Sequence, residues 1–189
     1  MKVPEFPESR EILLEDKPLF DSIFAARPPE LSAYTFTNIF AWRQPHGYGL
    51  SRIGESTILC RRKEEAWFCL EPLGTADIRP VIEEAYRRSG GDSLEFERIQ
   101  AATTEQFTGD PSYEVTHDRD NSDYLYLTSD LIDLPGRKFD GKRNFMKRFK
   151  SQADYEYVRL SHLTMDECHR FSDYWCEERE CHMIEGLRE

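Results

Sequence analysis

The chain has 189 residues, of which 39% are hydrophobic, 32% charged and 13% aromatic, and its net charge at neutral pH is −11. That aromatic content excludes a disordered chain, ten glycines and ten prolines exclude a low-complexity or collagen-like one, and no segment approaches the ~18 uncharged apolar residues of a membrane-spanning helix. The start, Met1-Lys2-Val3-Pro4-Glu5-Phe6-Pro7-Glu8, has no apolar core of a secretory signal, and the five cysteines (Cys60, Cys69, Cys168, Cys176, Cys181) show no framework spacing; we expect reduced thiols and a cytoplasmic protein.

In chain order, residues 11–26 read as an amphipathic helix through Leu19, Phe20, Ile23 and Phe24, broken by Arg27-Pro28-Pro29. Ser32 is placed to cap a second helix reaching about Arg43, with Tyr34, Phe36, Ile39, Phe40 and Trp42 on most of its sides, the pattern of a buried helix. Strands follow at 48–53, 57–62 and 66–70, joined by Gly54-Glu55 and Lys63-Glu64-Glu65 as an antiparallel meander. Asp77 precedes a helix over 78–89, ended by Ser89-Gly90-Gly91, and a strand over 94–99 comes next. Thr103 and Gln106 have capping-box spacing for a short helix. Residues 113–117 and 124–127 read as strands around the polar 118–121 turn, and 129–134 as a short turn ending at Pro135-Gly136. A basic helix to about Gln152, a strand over 155–160 and a last helix capped by Thr164 and Glu167 complete the chain. Residues 1–130 suffice for an α+β layer domain. Residues 131–189, one strand between two helices, have too little core to stand alone and read as the start of a second, incomplete unit.

Charge is concentrated in one place. Residues 136–150 hold Arg137, Lys138, Lys142, Arg143, Lys147, Arg148 and Lys150 against the single acid Asp140, a local +6 in a chain of −11. On a helix, Phe139, Phe145, Met146 and Phe149 share an arc of about a third of a turn that we expect to face a core, with Arg143, Lys147 and Lys150 clustered beside it. Like charges at that spacing repel, which is tolerable beside an anionic partner or, equally, on a solvated face or against acidic neighbours. Phosphates of a tRNA acceptor end or of an anionic phospholipid headgroup are the expected partners: Arg143 offers a two-pronged donor, Lys142, Lys147 and Lys150 offer point charges, and Asn144 adds directional hydrogen bonds. In the acidic turn, Arg119 and Asp123 are candidates for orienting a substrate amine or the basic helix; a self-capped loop is the plainer reading.

Three spaced blocks carry a family resemblance. Tyr34-Thr35-Phe36-Thr37-Asn38-Ile39-Phe40-Ala41-Trp42-Arg43, Asp118–Tyr126, and Leu134-Pro135-Gly136-Arg137-Lys138-Phe139-Asp140-Gly141-Lys142-Arg143-Asn144-Phe145 resemble, in that order, segments of the family named for the C-terminal domain of phosphatidylglycerol lysyltransferase. The resemblance implies tandem acyl-CoA N-acyltransferase (GNAT)-like halves with a mixed, mainly antiparallel sheet flanked by helices, the second half incomplete here. It also implies acyl or aminoacyl transfer to an amine or hydroxyl, with acyl-CoA or aminoacyl-tRNA as donor substrate and no cofactor held within this chain. A non-enzymatic module that docks RNA, lipid or an acidic protein through the basic helix, or an inactive fragment, is the alternative.

Other chemistry finds little footing. Gln44-Pro45-His46-Gly47-Tyr48-Gly49 matches the Q/R-x-x-G-x-G loop that GNAT enzymes use for the CoA pyrophosphate, but it follows a helix and precedes a strand, the reverse of a phosphate-cradling context, and reads as coincidence. Cys168, His169, Cys176, Cys181 and His182 lack zinc-site spacing. No nucleophile motif accompanies any histidine, and His46, His117 and His162 read as turn or surface residues.

Overall fold

Two tight reversals build the sheet. Gly54 takes φ +58° between β1 (Gly49–Ile53) and β2 (Ser56–Lys63), and Glu64 takes φ +56° between β2 and β3 (Ala66–Leu70). In the computed structural model, which describes residues 2–161 and 164–184, the chain forms two compact units, Met1–Asp123 and Tyr124–Glu189.

In the first unit the order is β1-β2-β3-β4, antiparallel for the first two pairs and parallel for β3 with β4 (Ser93–Glu97). The fold class is therefore the α+β arrangement expected, a mixed and mainly antiparallel sheet flanked by helices. Alternation along the strands sends Leu50, Leu59 and Leu70 to one core and Ile53, Ile58, Cys60 and Cys69 to another. The first core is closed by Phe20 of α1 (Lys17–Ala26) and by Phe36 and Ile39 of α2 (Phe36–Ala41); the one-turn α3 (Arg43–His46) follows. The second is closed by Val81 and Ala85 of α4 (Arg79–Arg88) and by Phe6. Truncating a fully buried ring such as Phe20 to Ala would cost about 3–5 kcal/mol. The free edge of β1 is covered by the N-terminal segment, whose Phe6 and Arg10 amides donate to Arg52 and Leu50 carbonyls.

Several local expectations are corrected. Thr35, not Ser32, caps α2: its hydroxyl accepts from the Asn38 amide at 3.2 Å, whereas Ser32 lies upstream and bonds to Asp123. The short helix α5 (Ala101–Thr104) starts before Thr103, because Thr103 turns inward to Glu71 and Gln106 reaches back to the amide of Ile78. Cys60 and Cys69 form a disulfide, against the expectation of five free thiols. They are directly opposed in the β2–β3 register, a proximity that spacing in sequence does not reveal. The cysteines thus no longer carry the cytoplasmic assignment. Among the described residues, no helix is long and apolar enough to cross a membrane.

In the second unit, α6 (Thr128–Asp133) stands where a turn was expected and ends at Leu134, which adopts φ +45°. A 3₁₀ turn (Arg137–Phe139) leads into α7 (Asp140–Gln152); α8 (Met165–Glu178) follows. Thr164 precedes α8 but its hydroxyl donates to the Ser161 carbonyl rather than capping the helix. Residues 113–117 in the first unit, and 124–127 and 155–160 in the second, are not strands, having no ladder partner among the described residues; alternation alone does not make a strand when no edge is presented to it. The arc expected to face a core is only partly covered: Phe139 is buried, but Phe145 is 61% and Phe149 48% exposed.

Candidate functional site

The basic segment folds into α7 as read, and a groove with a volume of about 440 Å³ runs along it. Arg143, Met146, Lys147, Lys150 and Ser151 supply one wall, at the i, i+3, i+4, i+7, i+8 positions that share a helix face, and Asp133 and Leu134 supply the other. Leu134 and Met146 are the apolar members of this lining, beside Lys147 and Lys150.

The cations differ in how far they are already engaged. Arg143 donates to the carbonyls of Leu134 and Gly136 and to the Asp140 carboxylate, so it closes the C-terminal end of α6 and ties it to α7. The Leu134 carbonyl is one of those a helix end leaves unpaired, and the Gly136 carbonyl also accepts from the Phe139 amide. Lys138 pairs with Asp130 at 3.0 Å, and Arg148 stacks over Phe145. Among the described residues no carboxylate pairs with Lys142, Lys147 or Lys150. The structure thus brings together Arg143, Lys147 and Lys150 of the expected set, while Lys142 and Asn144 flank the arc without lining the groove. Met146 and Ser151 were legible from helical spacing. Asp133 and Leu134 were not, because the left-handed Leu134 that folds α6 back toward α7 has no glycine or asparagine to announce it.

In the first unit the acidic turn caps itself at Asp118 and is tied to Ser32 through Asp123. Asp118 accepts from the amide of Asp120 and from the side chain of Asn121, which hold its carboxyl below the usual range, the Asn121 side chain foremost. Asp123 accepts from the Ser32 amide and hydroxyl, each at 2.7 Å, and these bonds lower its pKa in the same order. Arg119 is exposed, and its carbonyl closes the turn by accepting from Ser122. The glycine loop is not a phosphate cradle: the Gly47 amide is spent on the Arg43 and Gln44 carbonyls as the end of α3, and a Cβ on Gly49 would lie 2.4 Å from the Ser9 hydroxyl. His117 is exposed, and His162 lies outside the described residues. The Cys176 thiol is raised by its bond to Cys181, then by burial.

No curated protein matches the chain. A solved structure, a conserved protein of unknown function from Bacteroides thetaiotaomicron, is similar with a TM-score of 0.71 and 25% identity over 94% of this chain. The chain spans 62% of that protein's length. The family model described as phosphatidylglycerol lysyltransferase, C-terminal, matches residues 24–189, which include the α7 groove and the Tyr34–Arg43 block. The chain belongs to the phosphatidylglycerol lysyltransferase C-terminal family.

Proposed function

We propose that this chain is part of a transferase that passes an acyl or aminoacyl group to an amine or hydroxyl, and that the α7 groove holds the phosphate of an anionic phospholipid headgroup on the acceptor side. The observation that carries this is the composition of the groove. Lys147 and Lys150, free of carboxylates among the described residues, line the groove together with the apolar Leu134 and Met146. Ammonium groups take a phosphate, and apolar side chains beside them take the methylenes that follow it. The residues of α7 move no proton in this scheme; they fix the position of the acceptor, which is where much of the rate of such transfers originates. Arg143 acts one step removed, holding Leu134 and thus the groove wall. The donor, aminoacyl-tRNA or acyl-CoA, is a separate substrate that this groove leaves to other surfaces.

The test is co-sedimentation of the chain with vesicles of phosphatidylglycerol or of phosphatidylcholine, and with bulk tRNA in a parallel arm. Binding to phosphatidylglycerol alone, reduced at least ~10-fold in Lys147→Ala/Lys150→Ala, is expected for about 1 kcal/mol per lysine. Equal binding to both vesicles, or tighter binding to tRNA with the same lysine dependence, sinks the lipid assignment. Aminoacyl or acyl turnover by the whole protein separates a transferase from a docking module.

A further inference from the structure

Two helices of the second unit leave aromatic faces open to solvent. On α7, Lys142, Phe145 and Phe149 fall at i, i+3 and i+7, on the side away from the groove residues Arg143, Lys147 and Lys150. Arg148 stacks over Phe145, and Tyr155 lies 5.2 Å from Phe149 between ring centroids, so three rings and two cations make one patch. On α8, Glu167, Phe171, Tyr174, Trp175 and Glu178 fall at i, i+4, i+7, i+8 and i+11, again a single face. The six rings are 45% to 67% exposed, so within the chain neither face covers the other.

The two faces are opposite in sign. Helix α7 carries five cations against one acid, Asp140, and α8 carries five acids against one arginine, Arg170. Among the described residues Lys142 and Arg148 pair with no carboxylate, and Glu167 and Glu178 pair with no cation. A buried aromatic ring covers roughly 150–250 Å², so six rings about half exposed offer roughly 650 Å² per copy. That approaches the ~800 Å² that each partner gives to an interface of standard size, before the flanking charges are added.

We propose that the chain pairs with a second copy of itself, α7 of each copy lying on α8 of the other. The basic aromatic face then meets the acidic one twice in a closed two-fold dimer, since what one copy offers the other receives. The rings supply the buried surface. Lys142 and Arg148 against Glu167 and Glu178 set the register and exclude α7 on α7 or α8 on α8, where like charges would meet. The contact lies on the far side of α7 from the groove and does not rest on the lipid reading of that groove.

The test is analytical ultracentrifugation of the 189-residue chain over a range of concentrations. A dimer forming near ~10 µM is expected for an interface of this size. Phe171→Ala should weaken it at least ~10-fold, the cost of truncating one central ring. Lys142→Glu/Arg148→Glu and, separately, Glu167→Lys/Glu178→Lys should each be monomeric at ~100 µM, a loss of at least ~10-fold. All four positions are exposed, so both variants keep the fold. Mixed in equal amounts, the two reversed variants should dimerise again, because the changed faces now match each other and the unchanged faces still match. A misfolded variant or a membrane-facing patch gives no such rescue. Lys147→Ala/Lys150→Ala should leave the dimer unchanged, which separates this face from the groove. A chain that is monomeric at ~500 µM overturns the inference, whether or not its rings then enter vesicles. So does a dimer indifferent to the charge reversals, a failure of the reversed pair to associate on mixing, or assembly that grows past the dimer.

Discussion

Replacing Tyr34 with Phe removes a single oxygen from the centre of the first unit. The residue is 1% exposed, and its ring belongs to the core with Phe20, Phe36 and Leu70, so the apolar packing survives the change. The hydroxyl accepts from the Glu71 amide and donates to the Arg98 carbonyl, both at 2.9 Å. Glu71 is itself 3% exposed and accepts from the amide and side chain of Gln100 and from Thr103, so nothing nearby is free to replace the lost partner. Two bonds disappear and a buried amide and carbonyl are left unpaired, a loss of about 2–4 kcal/mol. Spread over the 123 residues of this unit, with an unfolding entropy of about 2.1 cal/mol/K per residue, that lowers the melting midpoint by ~8–15 °C. Urea unfolding should show a lower midpoint with an unchanged slope. Tyr86→Phe, at a ring 62% exposed, is the matched control and should be silent. A Tyr34→Phe loss below about 0.5 kcal/mol would refute the reasoning, since it would mean that the amide and carbonyl find water or each other.

Three further outcomes can be measured. If Lys142, Lys147 and Lys150 are the free cations of α7, binding of any polyphosphate to that helix should fall with salt at a log–log slope near −2, from ~0.7 per phosphate neutralised, and Lys147→Ala/Lys150→Ala should flatten it by about 1.4. Thiol titration of the denatured chain without reductant should find three reactive cysteines (Cys168, Cys176 and Cys181), and five after reduction. Asp16 accepts from both Arg10 terminal nitrogens (2.8 and 2.6 Å) and from the Leu13 amide (2.8 Å), and its carboxyl is held down chiefly by the Arg10 bond. Its stabilising effect is complete above the ordinary Asp pKa of about 4 and is lost as pH falls through the lower folded value. Asp16→Asn should cost about 2–3 kcal/mol at pH 7 and remove that part of the acid dependence; equal losses at pH 7 and at acid pH would show that the charge is not what matters.

What could be read from the residues, and what could not, divides along the range of the interactions. The hairpins were legible because Gly54 and the Lys63-Glu64-Glu65 turn act within a few positions, and α7 was legible because its periodicity is local. The 113–117, 124–127 and 155–160 segments have the same alternation as β1, yet β1 has β2 on one side and the N-terminal segment on the other, and among the described residues they have no ladder partner. The disulfide became visible only once register set Cys60 opposite Cys69. Arg143 reads in sequence as a free phosphate fork; in space its donors are filled by Leu134 and Gly136, carbonyls exposed by a left-handed turn that its sequence does not signal. Tyr34 counts in any hydrophobic pattern as one more ring, but its hydroxyl spans 64 positions to hold Arg98 and 37 to hold Glu71. The chain therefore spends its local signals on building the sheet and its helices and its long-range polar contacts on fixing the turns between them. The α7 groove depends on such contacts at Arg143. A substitution that leaves every helix and strand intact, such as Tyr34→Phe, should for that reason alter the molecule more than a survey of secondary structure would imply.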